Sequence, residues 1–250
     1  MLYEHEQVAG PRKWPGRHVL FLMANQQIDS SLSIHQLPDQ VHREIQSIIR
    51  GFLQECGYKD PRTPRDEELR RYIASDAQSW NVGLSSSHAT KIVDTACHLI
   101  EAAYAHLSPE HRRYAACFAA YFVYADDLGN QDLEALHQFS RRFIAGQEQL
   151  NPVLNRLAQL IRRAHELWTD MGASAIVTGT LEAIVAFHTE FTTRNMVIKP
   201  GALRYPDYLR LRSGIDPPFI AFLFMRGWRD TAESYVQLIP DMEFWIGSAK

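Results

Sequence analysis

The sequence predicts an all-α protein built as one helical bundle. Strand patterns are nearly absent from its 250 residues, whereas apolar residues recur at helical spacing through most of the chain. Segment 114–124 is apolar on every side, which is typical of a helix buried at the centre of a domain, and 176–197 is predicted to be a second very apolar helix. We find no internal repeat and no linker long enough to separate domains, so a single bundle of at least about eight helices is expected.

Residues 1–35 are predicted to be an irregular N-terminal segment and residues 36–250 to form one helical domain. With 46% hydrophobic residues the chain can build a sizeable core. The short apolar patch 18–23 follows prolines and lacks a small-residue cleavage site, so no signal peptide is expected. No run of about twenty apolar residues is apparent either, and no membrane span is expected.

Charge and cysteine content narrow the class of function and the compartment. The net charge of −3 and the sequence pI of about 6.4 argue against a protein that binds nucleic acid electrostatically. The three cysteines are odd in number and lack metal-ligand spacing, so they are expected to be reduced and mostly buried thiols. The expected location is therefore the cytoplasm.

The first half of the chain is predicted to contain three helices. One opens at Pro38, a loop rich in proline and charge follows at 57–68, and a second helix begins at 87–90. The sequence Ser108-Pro109-Glu110 then supplies an N-cap serine, a proline at the first position and an acid in the first turn, and it begins the helix that runs to Asp127. The residues expected to face inward on the first two helices are Val41, Ile45, Ile48, Ile49, Phe52 and Leu53, and then Ile92, Val93, Ala96, Leu99, Ile100 and Ala103.

The second half is predicted to contain five more helices. Gly172 is expected to break the chain before the second apolar segment, and two later helices are expected at 219–225 and 235–250. The two helices that precede Gly172 are marked by Leu133, Leu136, Phe139, Phe143 and Ile144, and then by Leu154, Leu157, Ile161, Ala164, Leu167 and Trp168.

Adjacent carboxylates end the first apolar segment, in the sequence YFVYADDLGNQD. Asp126 and Asp127 lie where the helix dipole disfavours negative charge, and partly buried carboxylates are costly unless a cation neutralises them. No Lys or Arg occurs between residues 113 and 141. A divalent metal such as Mg²⁺ would neutralise them, since it commonly uses one or two carboxylates plus substrate phosphates. The alternative is a solvated turn in which Gly129 and Asn130 stop the helix.

Two stretches together resemble class I terpene synthases. YFVYADDLGNQD is similar to the aspartate-rich motif of that family, and YPDYLRLRSGIDPP to the segment with the diphosphate-sensing arginine and a helix break. The pattern Tyr-Pro-x-aromatic-Leu-Arg-x-x-x-Gly most resembles the fungal trichodiene synthase family of sesquiterpene cyclases. Met242, Glu243 and Trp245 resemble the approach to the family's second metal motif, and the resemblance extends from the first helix to Lys250.

The resemblance implies a lyase of isoprenoid biosynthesis. Such a sesquiterpene synthase ionises farnesyl diphosphate with magnesium and cyclises the resulting carbocation. Asp126, Asp127 and Asn130 would be the metal ligands, although Asn130 stands where many relatives have a third acid. Asp132 is the alternative third ligand, and a solvated loop acid is the other interpretation of that residue.

The same resemblance implies a catalytic and diphosphate-binding role for Arg210, with Arg212 as its rival. Gly214 would mark the helix break at which a backbone carbonyl faces the substrate, a place that suits glycine because it allows unusual backbone angles. Phe118 and Phe122 would bind the substrate, since they precede the acids by two turns and one turn. Phe187 and Phe191 are weaker candidates, and ordinary core packing is the alternative role for all four.

The family's second metal motif, Asn-Asp-x-x-Ser-x-x-x-Glu, is expected directly after MEFWIGSA, where Lys250 stands. The chain therefore resembles a terpene synthase domain without its last helices, and we expect it to be a poor catalyst that tends to aggregate or form a homodimer. The competing hypothesis is a non-catalytic helical remnant that binds diphosphate weakly or makes protein contacts. A chain-elongating prenyltransferase would need a second aspartate-rich motif and a metallohydrolase an HExxH motif, and we find neither.

Overall fold

The computed structural model describes residues 39–59, 63–227 and 236–249. In this part of the chain the only extended pairing is a single antiparallel bridge between Trp168 and Met225, so the predicted all-α class is confirmed. Short 3₁₀ helices lie at Gly129–Gln131 and Val236–Leu238. The α-helices are α1 (Asp39–Glu55), α2 (Glu67–Gln78), α3 (Ser86–Ala103), α4 (Pro109–Leu128), α5 (Leu133–Ile144), α6 (Pro152–Arg162), α7 (Ala164–Leu167), α8 (Asp170–Thr193), α9 (Tyr205–Ser213), α10 (Asp216–Ala221) and α11 (Ile239–Ala249).

The chain divides into two compact units between residues 60 and 61. The described part of the first unit is α1, which begins one residue after the predicted start at Pro38. None of its residues is buried, so its predicted inward face meets no core within that described part. The predicted boundary between residues 35 and 36 lies outside the described residues and stays a prediction.

Helix α2 begins inside the predicted loop 57–68 and was not predicted. Asp66 caps it, because its carboxylate accepts a hydrogen bond of 3.0 Å from the backbone N–H of Leu69. Glu67 and Glu68 in the first turn favour the positive end of the helix dipole. The acidic residues that were interpreted as part of a loop therefore form the start of this helix. The helix then buries Leu69, Ile73 and Ala77, which are one turn apart.

Helix α4 is the central helix of the second unit, as predicted. Eleven of its residues are buried, and it packs against α2, α3 and α6. Ser108 is its N-cap, since the hydroxyl accepts a hydrogen bond of 3.4 Å from the N–H of His111, and Pro109 occupies the first position. Five of the buried residues are alanines, which let the neighbouring helices approach closely. The helix continues one residue past the predicted end, to Leu128.

Gly172 does not break the chain, contrary to prediction. It lies in the first turn of α8, and its N–H donates a hydrogen bond of 3.2 Å to the hydroxyl of the N-cap residue Thr169. The helix therefore starts earlier than predicted, and it ends at Thr193 rather than at 197. Glycine is required two turns further on, at Gly179, because a Cβ there would come within 2.6 Å of the Pro218 side chain on α10.

Helix α8 is long and apolar enough to cross a membrane by length and composition, which the sequence analysis did not anticipate. In the structure half of its apolar window is buried inside the protein, where it packs against α5, α9 and α10. This burial is what a core helix requires, and it accounts for the lack of helical amphipathicity in the segment.

Two positions of α3 that were predicted to face inward, Leu99 and Ala103, are exposed instead. Helix α3 buries a stripe that includes Ile92 and Ile100, and Leu99 and Ala103 lie beside this stripe rather than on it. Ile144 is the last residue of α5, where the helix extends past the core, and 79% of its surface is exposed. Two of the three cysteines, at 97 and 117, are buried as predicted, and all three are free thiols.

The segment after residue 204 forms two short helices separated by a break. Helix α9 ends at Ser213, and α10 begins at Asp216, three residues before the predicted start, and ends at Ala221. Helix α11 begins at Ile239 and packs against α10, in a small cluster that joins Ile220 and Phe224 to Ile239, Met242 and Ile246. The predicted ends of this last helix, residues 235 and 250, lie outside the described residues.

Candidate functional site

A lysine from another helix neutralises one of the two adjacent acids. The ammonium nitrogen Nζ of Lys91, on α3, lies 2.9 Å from Oδ2 of Asp127 at the end of α4. Lys91 is largely exposed and the Asp127 side chain is about one quarter exposed, so water screens this pair. A metal was the predicted neutralising cation because no Lys or Arg lies between residues 113 and 141. In the structure, Lys91, 36 residues away in the chain, forms an ion pair with Asp127.

Asp126 is in a different electrostatic situation. Its side chain is exposed, and no ion pair to it occurs in the described part of the chain. Partial desolvation raises the pKa of its carboxyl, and the negative charges of Asp127 and of Glu190 on α8 raise that pKa further. The positive charges of Arg210 and Lys91 lower the same pKa. Five charged groups from four helices therefore converge on the C-terminal end of α4.

The chemistry of these donors fits Mg²⁺. Two carboxylates supply hard oxygen ligands, and a cation would favour the charged form of Asp126, whose pKa desolvation and then the charges of Asp127 and Glu190 raise. Among the residues that the structure describes, no group of three or more His, Cys, Asp and Glu side chains could hold a metal ion. A magnesium site at Asp126 and Asp127 would therefore depend on oxygens from the substrate to complete its coordination.

Asn130 and Asp132 are placed differently from each other. Asn130 is exposed in the 3₁₀ turn that follows α4, so the chain remains helical between it and Asp126, and its role as a ligand stays a prediction. Asp132 accepts hydrogen bonds from protein groups, so it is not a solvated loop acid, and its alternative role as the third ligand stays a prediction. One of its oxygens caps α5 by accepting a hydrogen bond of 3.2 Å from the N–H of Ala135, and the other lies 3.3 Å from the amide nitrogen of Asn151.

The two arginines of α9 point to different partners. Arg212 forms a 2.7 Å ion pair with Glu182 on α8, and its guanidinium carbon lies 4.4 Å from the centre of the Tyr208 ring. Arg210 is exposed and close enough to Asp126 for its charge to lower the pKa of that carboxyl. The charge of Arg210 therefore acts on the acids, whereas Arg212 pairs with Glu182 on α8, and a diphosphate-binding role for either arginine stays a prediction.

Gly214 marks the helix break, but not for the predicted reason. Its own backbone angles are ordinary right-handed helical ones, and the unusual left-handed conformation falls on Ile215, with φ of 56°. Glycine is required at 214 because a Cβ would lie 2.8 Å from the carbonyl oxygen of Arg210 and 3.3 Å from Oδ1 of Asp216. The requirement is thus one of space, and it links the break directly to the backbone of Arg210.

The predicted substrate-binding phenylalanines lie in one aromatic cluster. Phe118 is fully buried and stacks on Phe122 with ring centres 5.0 Å apart. Phe122 continues the cluster to Phe187 at 5.5 Å, and Phe118 meets Phe222 of the segment after α10 at 5.0 Å. The structure therefore joins these rings beneath the acids through ordinary core contacts, and their role in binding substrate stays a prediction.

The segment that resembles the approach to a second metal motif lies on α11. Met242 packs in the small cluster with α10. Burial raises the pKa of the Glu243 carboxyl, and the neighbouring charge of Asp216 raises it further. The Trp245 side chain lies outside what the structure describes.

Sequence reasoning missed three residues around the acids. Lys91 and Glu190 reach the end of α4 from α3 and α8, and no local pattern identifies such partners. Asn151 was also missed, although a signal was available: the sequence Asn151-Pro152 is a strong helix start, with an asparagine cap followed by proline.

Comparison with known proteins gives relatives of one kind. Alpha-cuprenene synthase COP6 of Coprinopsis cinerea is 26% identical over 223 residues, which cover 84% of this chain and 66% of that protein. Terpene synthase BipA of Cochliobolus sativus is 28% identical over 211 residues, 81% of this chain and 63% of that protein. Terpene synthase 29 of Postia placenta is 22% identical over 215 residues, 86% of this chain and 62% of that protein. No family model matches the chain.

These findings support the resemblance to terpene synthases of fungi that the two motifs indicated. They do not single out the trichodiene synthase family, so that closer assignment stays a prediction. The chain spans between 62% and 66% of the length of the relatives described above.

Proposed function

We propose that the chain carries the diphosphate-binding half of a terpene synthase site, and that the protein is a sesquiterpene synthase acting on farnesyl diphosphate with Mg²⁺. The observation that carries the proposal is the pair of adjacent carboxylates, Asp126 and Asp127, at the end of α4, where the charge of Arg210 from α9 lowers the pKa of Asp126. Both ingredients of diphosphate recognition, carboxylates for a metal and a guanidinium for phosphate oxygens, meet there from distant parts of the sequence. The similarity to fungal terpene synthases supports the same assignment.

The acids would hold the metal. Asp126 would be the principal ligand, because it has no ion pair within the described residues and a cation would offset the desolvation that raises its pKa. Asp127 would be the second ligand, in competition with Lys91 beside its Oδ2. When bound, Mg²⁺ supplies positive charge that stabilises the departing diphosphate.

Arg210 binds the diphosphate itself. Its planar guanidinium presents parallel donors to two phosphate oxygens, which a lysine cannot reproduce. A Cβ at Gly214 would lie 2.8 Å from the carbonyl oxygen of Arg210. A side chain at the helix break would therefore displace the backbone of Arg210. The charge on the guanidinium remains fixed during the reaction and stabilises the leaving group without any proton transfer.

The aromatic core beside α4 would exclude water. Phe118 and Phe122, which are almost fully buried and stack on each other, precede Asp126 on α4 by two turns and one turn. A carbocation formed near these rings would meet ring faces that carry partial negative charge instead of nucleophilic water. These two residues are thus proposed to contribute the inner wall of the substrate cavity.

The experiment that tests the proposal uses the purified chain and three prenyl diphosphates. We would incubate it with geranyl, farnesyl and geranylgeranyl diphosphate, with and without Mg²⁺, and measure released diphosphate under single-turnover conditions. We expect release to require Mg²⁺, to be fastest with farnesyl diphosphate and to be lost in Asp126→Asn. Arg163→Gln is the control, because it removes one charge from an exposed ion pair with Glu166 on α7, away from the acids. Release that is independent of Mg²⁺, or equal in Asp126→Asn, would remove the basis of the proposal.

One observation favours a second candidate, a helical protein without catalysis that binds diphosphate weakly. Within the described residues no group of three or more His, Cys, Asp and Glu side chains could hold a metal ion, and Lys91 already neutralises Asp127. For such a protein, inorganic diphosphate would bind to Arg210 and Lys91 without Mg²⁺, and no prenyl diphosphate would be cleaved. The cytoplasmic location and the homodimer remain predictions under either candidate.

A further inference from the structure

A buried asparagine ties together the two ends of the segment that carries the acids. Asn151 lies just before α6 and is only 7% exposed. Its amide nitrogen donates a hydrogen bond of 3.1 Å to the hydroxyl of Tyr124, two residues before Asp126. The same nitrogen lies 3.3 Å from Oδ2 of Asp132, six residues after Asp126. One side chain therefore holds both flanks of the acidic segment, residues 124–132.

The other atom of the amide fixes Asn151 itself. Its oxygen Oδ1 accepts hydrogen bonds from the backbone N–H groups of Val153, at 2.9 Å, and Leu154, at 3.3 Å. These bonds cap α6, so the amide cannot rotate without losing its own anchor. Asn151 thereby connects the end of α4, the start of α5 and the start of α6 through four hydrogen bonds.

Asp132 completes the connection from its own side. While Oδ2 faces Asn151, Oδ1 caps α5 through the N–H of Ala135, and the backbone N–H of Asp132 donates to the carbonyl of Gly129 at 3.0 Å. Gly129 has no room for a side chain, since a Cβ there would lie 2.9 Å from Leu136. The turn that follows the acids is therefore closed by hydrogen bonds and by close packing.

We propose that Asn151 and Asp132 form a clamp that positions the acidic pair, so that both are positioning residues for the metal site and Asp132 is not a ligand. This inference rests on the proposed function, because it assigns the clamp a purpose at that site. Asp126 and Asp127 lie between the two clamped points, at a helix end that would otherwise fray. A buried hydrogen-bond network of this kind enforces one geometry because any partner left unsatisfied is costly.

A pair of substitutions separates the clamp from simple helix capping. Asn151→Asp keeps an oxygen that caps α6, since aspartate and asparagine are equally good caps, but it replaces the amide donor with a second carboxylate facing Asp132. Asp132→Asn added to Asn151→Asp restores one donor and one acceptor in exchanged positions. If Asn151 only capped α6, the single variant would behave as the wild type. If Asn151 clamps the segment, Asn151→Asp should loosen residues 124–132, and the double variant should restore their order.

Two measurements on the purified chain decide the question. The first is hydrogen–deuterium exchange of the amides 125–136, with the amides of α2 as an internal reference for global stability. The second is the affinity for Mn²⁺, used as a spectroscopic probe for Mg²⁺, by electron paramagnetic resonance. We expect Asn151→Asp to speed exchange in 125–136 by about tenfold and to weaken Mn²⁺ binding to a similar degree, and the exchanged pair to recover most of both.

Two controls keep the outcomes distinct. If Asn151→Asp does not fold, Asn151→Ser replaces it, because serine caps α6 but is too short to reach Tyr124 and Asp132. Exchange in 125–136 that stays within about twofold of the wild type in the serine or aspartate variant would overturn the clamp. A wild-type chain that binds no Mn²⁺ would overturn the proposed function instead, and the exchange rates would still show whether the segment is clamped.

Discussion

The ammonium group of Lys91 lies 2.9 Å from Oδ2 of Asp127, although the two residues are 36 positions apart in the chain. This contact divides the acidic pair into one carboxylate with a cation and one without. Because Lys91 also lowers the pKa of the Asp126 carboxyl, its charge acts on both acids. A divalent metal that binds the pair must therefore compete with this lysine.

Replacement of Lys91 should strengthen metal binding. In Lys91→Met the competing cation is lost, so we expect the chain to bind Mn²⁺ about two- to fivefold more tightly, the equivalent of one exposed ion pair. The free energy of unfolding should change by no more than about 0.5 kcal/mol. Arg163→Gln, which removes a positive charge paired with Glu166 on α7, should leave Mn²⁺ affinity unchanged. Weaker binding in Lys91→Met would show that the lysine supports the metal rather than opposing it.

Neutralisation of Asp126 should not cost stability. Its pKa is raised in the fold, so the protonated form suits the folded state better and stability is lost as pH rises through that pKa. At neutral pH, Asp126→Asn should therefore leave the free energy of unfolding unchanged or raise it by up to about 0.5 kcal/mol. Asp76→Asn is the contrasting variant, because Asp76 accepts hydrogen bonds from Trp80 at 2.8 Å and Arg156 at 3.0 Å.

We expect Asp76→Asn to lower the free energy of unfolding by about 1.5 to 3 kcal/mol, as is typical when a hydrogen bond to a charged group is weakened. Urea unfolding at neutral pH measures both variants. A loss in Asp126→Asn as large as that in Asp76→Asn would mean that Asp126 stabilises the fold, which a group held ready for a metal should not do.

The helix break should be intolerant of any side chain at Gly214. Gly214→Ala places a Cβ 2.8 Å from the carbonyl of Arg210, so we expect a loss of about 1 to 3 kcal/mol in the free energy of unfolding and weaker diphosphate binding. Gly201→Ala is the control, since no atom lies within 4 Å of the added Cβ there and the substitution should be neutral or slightly stabilising. Equal thermal midpoints for the two variants would show that the backbone near Arg210 yields without cost.

A histidine pair between α5 and α8 should make the fold sensitive to acid. The rings of His137 and His188 lie 5.0 Å apart, and burial together with the charge of His137 lowers the pKa of His188, while Glu134 opposes this shift. Because the unfolded chain then takes up a proton first, stability should fall as pH drops below about 6.5. His188→Gln should flatten this slope, and the exposed His106→Gln should not. Unfolding midpoints measured about one pH unit above and below 6.5 would give the change of stability with pH. An equal change in His188→Gln and His106→Gln would exclude the histidine pair as its cause.

Local signals explain which parts of the fold were predictable. The start of α4 is encoded by Ser108 and Pro109 themselves, and its central position follows from an apolar run that no surface helix could carry. In contrast, Gly172 was taken as a break because glycine is usually unfavourable inside helices. The cap at Thr169 outweighs this cost. Whether Gly172 ends a helix or lies within one depends on tertiary packing, which the local sequence does not specify.

The candidate site was predictable only where its residues lie close in the chain. Asp126 and Asp127 were visible as neighbours, and the resemblance pointed to Arg210. The nearness of Arg210 to Asp126 depends on how α9 packs on α8, a long-range property. Lys91 was missed for the same reason. Its contact with Asp127 means that, within the described residues, only Asp126 lacks an ion pair among the two acids for which a metal was predicted.

The most direct test of the account is the binding of inorganic diphosphate to the purified chain, measured by calorimetry with and without Mg²⁺. The wild type is compared with two matched variants of α9, Arg210→Lys and Arg212→Lys. The account predicts that binding requires Mg²⁺, that Arg210→Lys weakens it by about tenfold and that Arg212→Lys, which retains a positive charge opposite Glu182, changes it by less than about twofold. Binding without Mg²⁺, or a larger loss in Arg212→Lys than in Arg210→Lys, would contradict it.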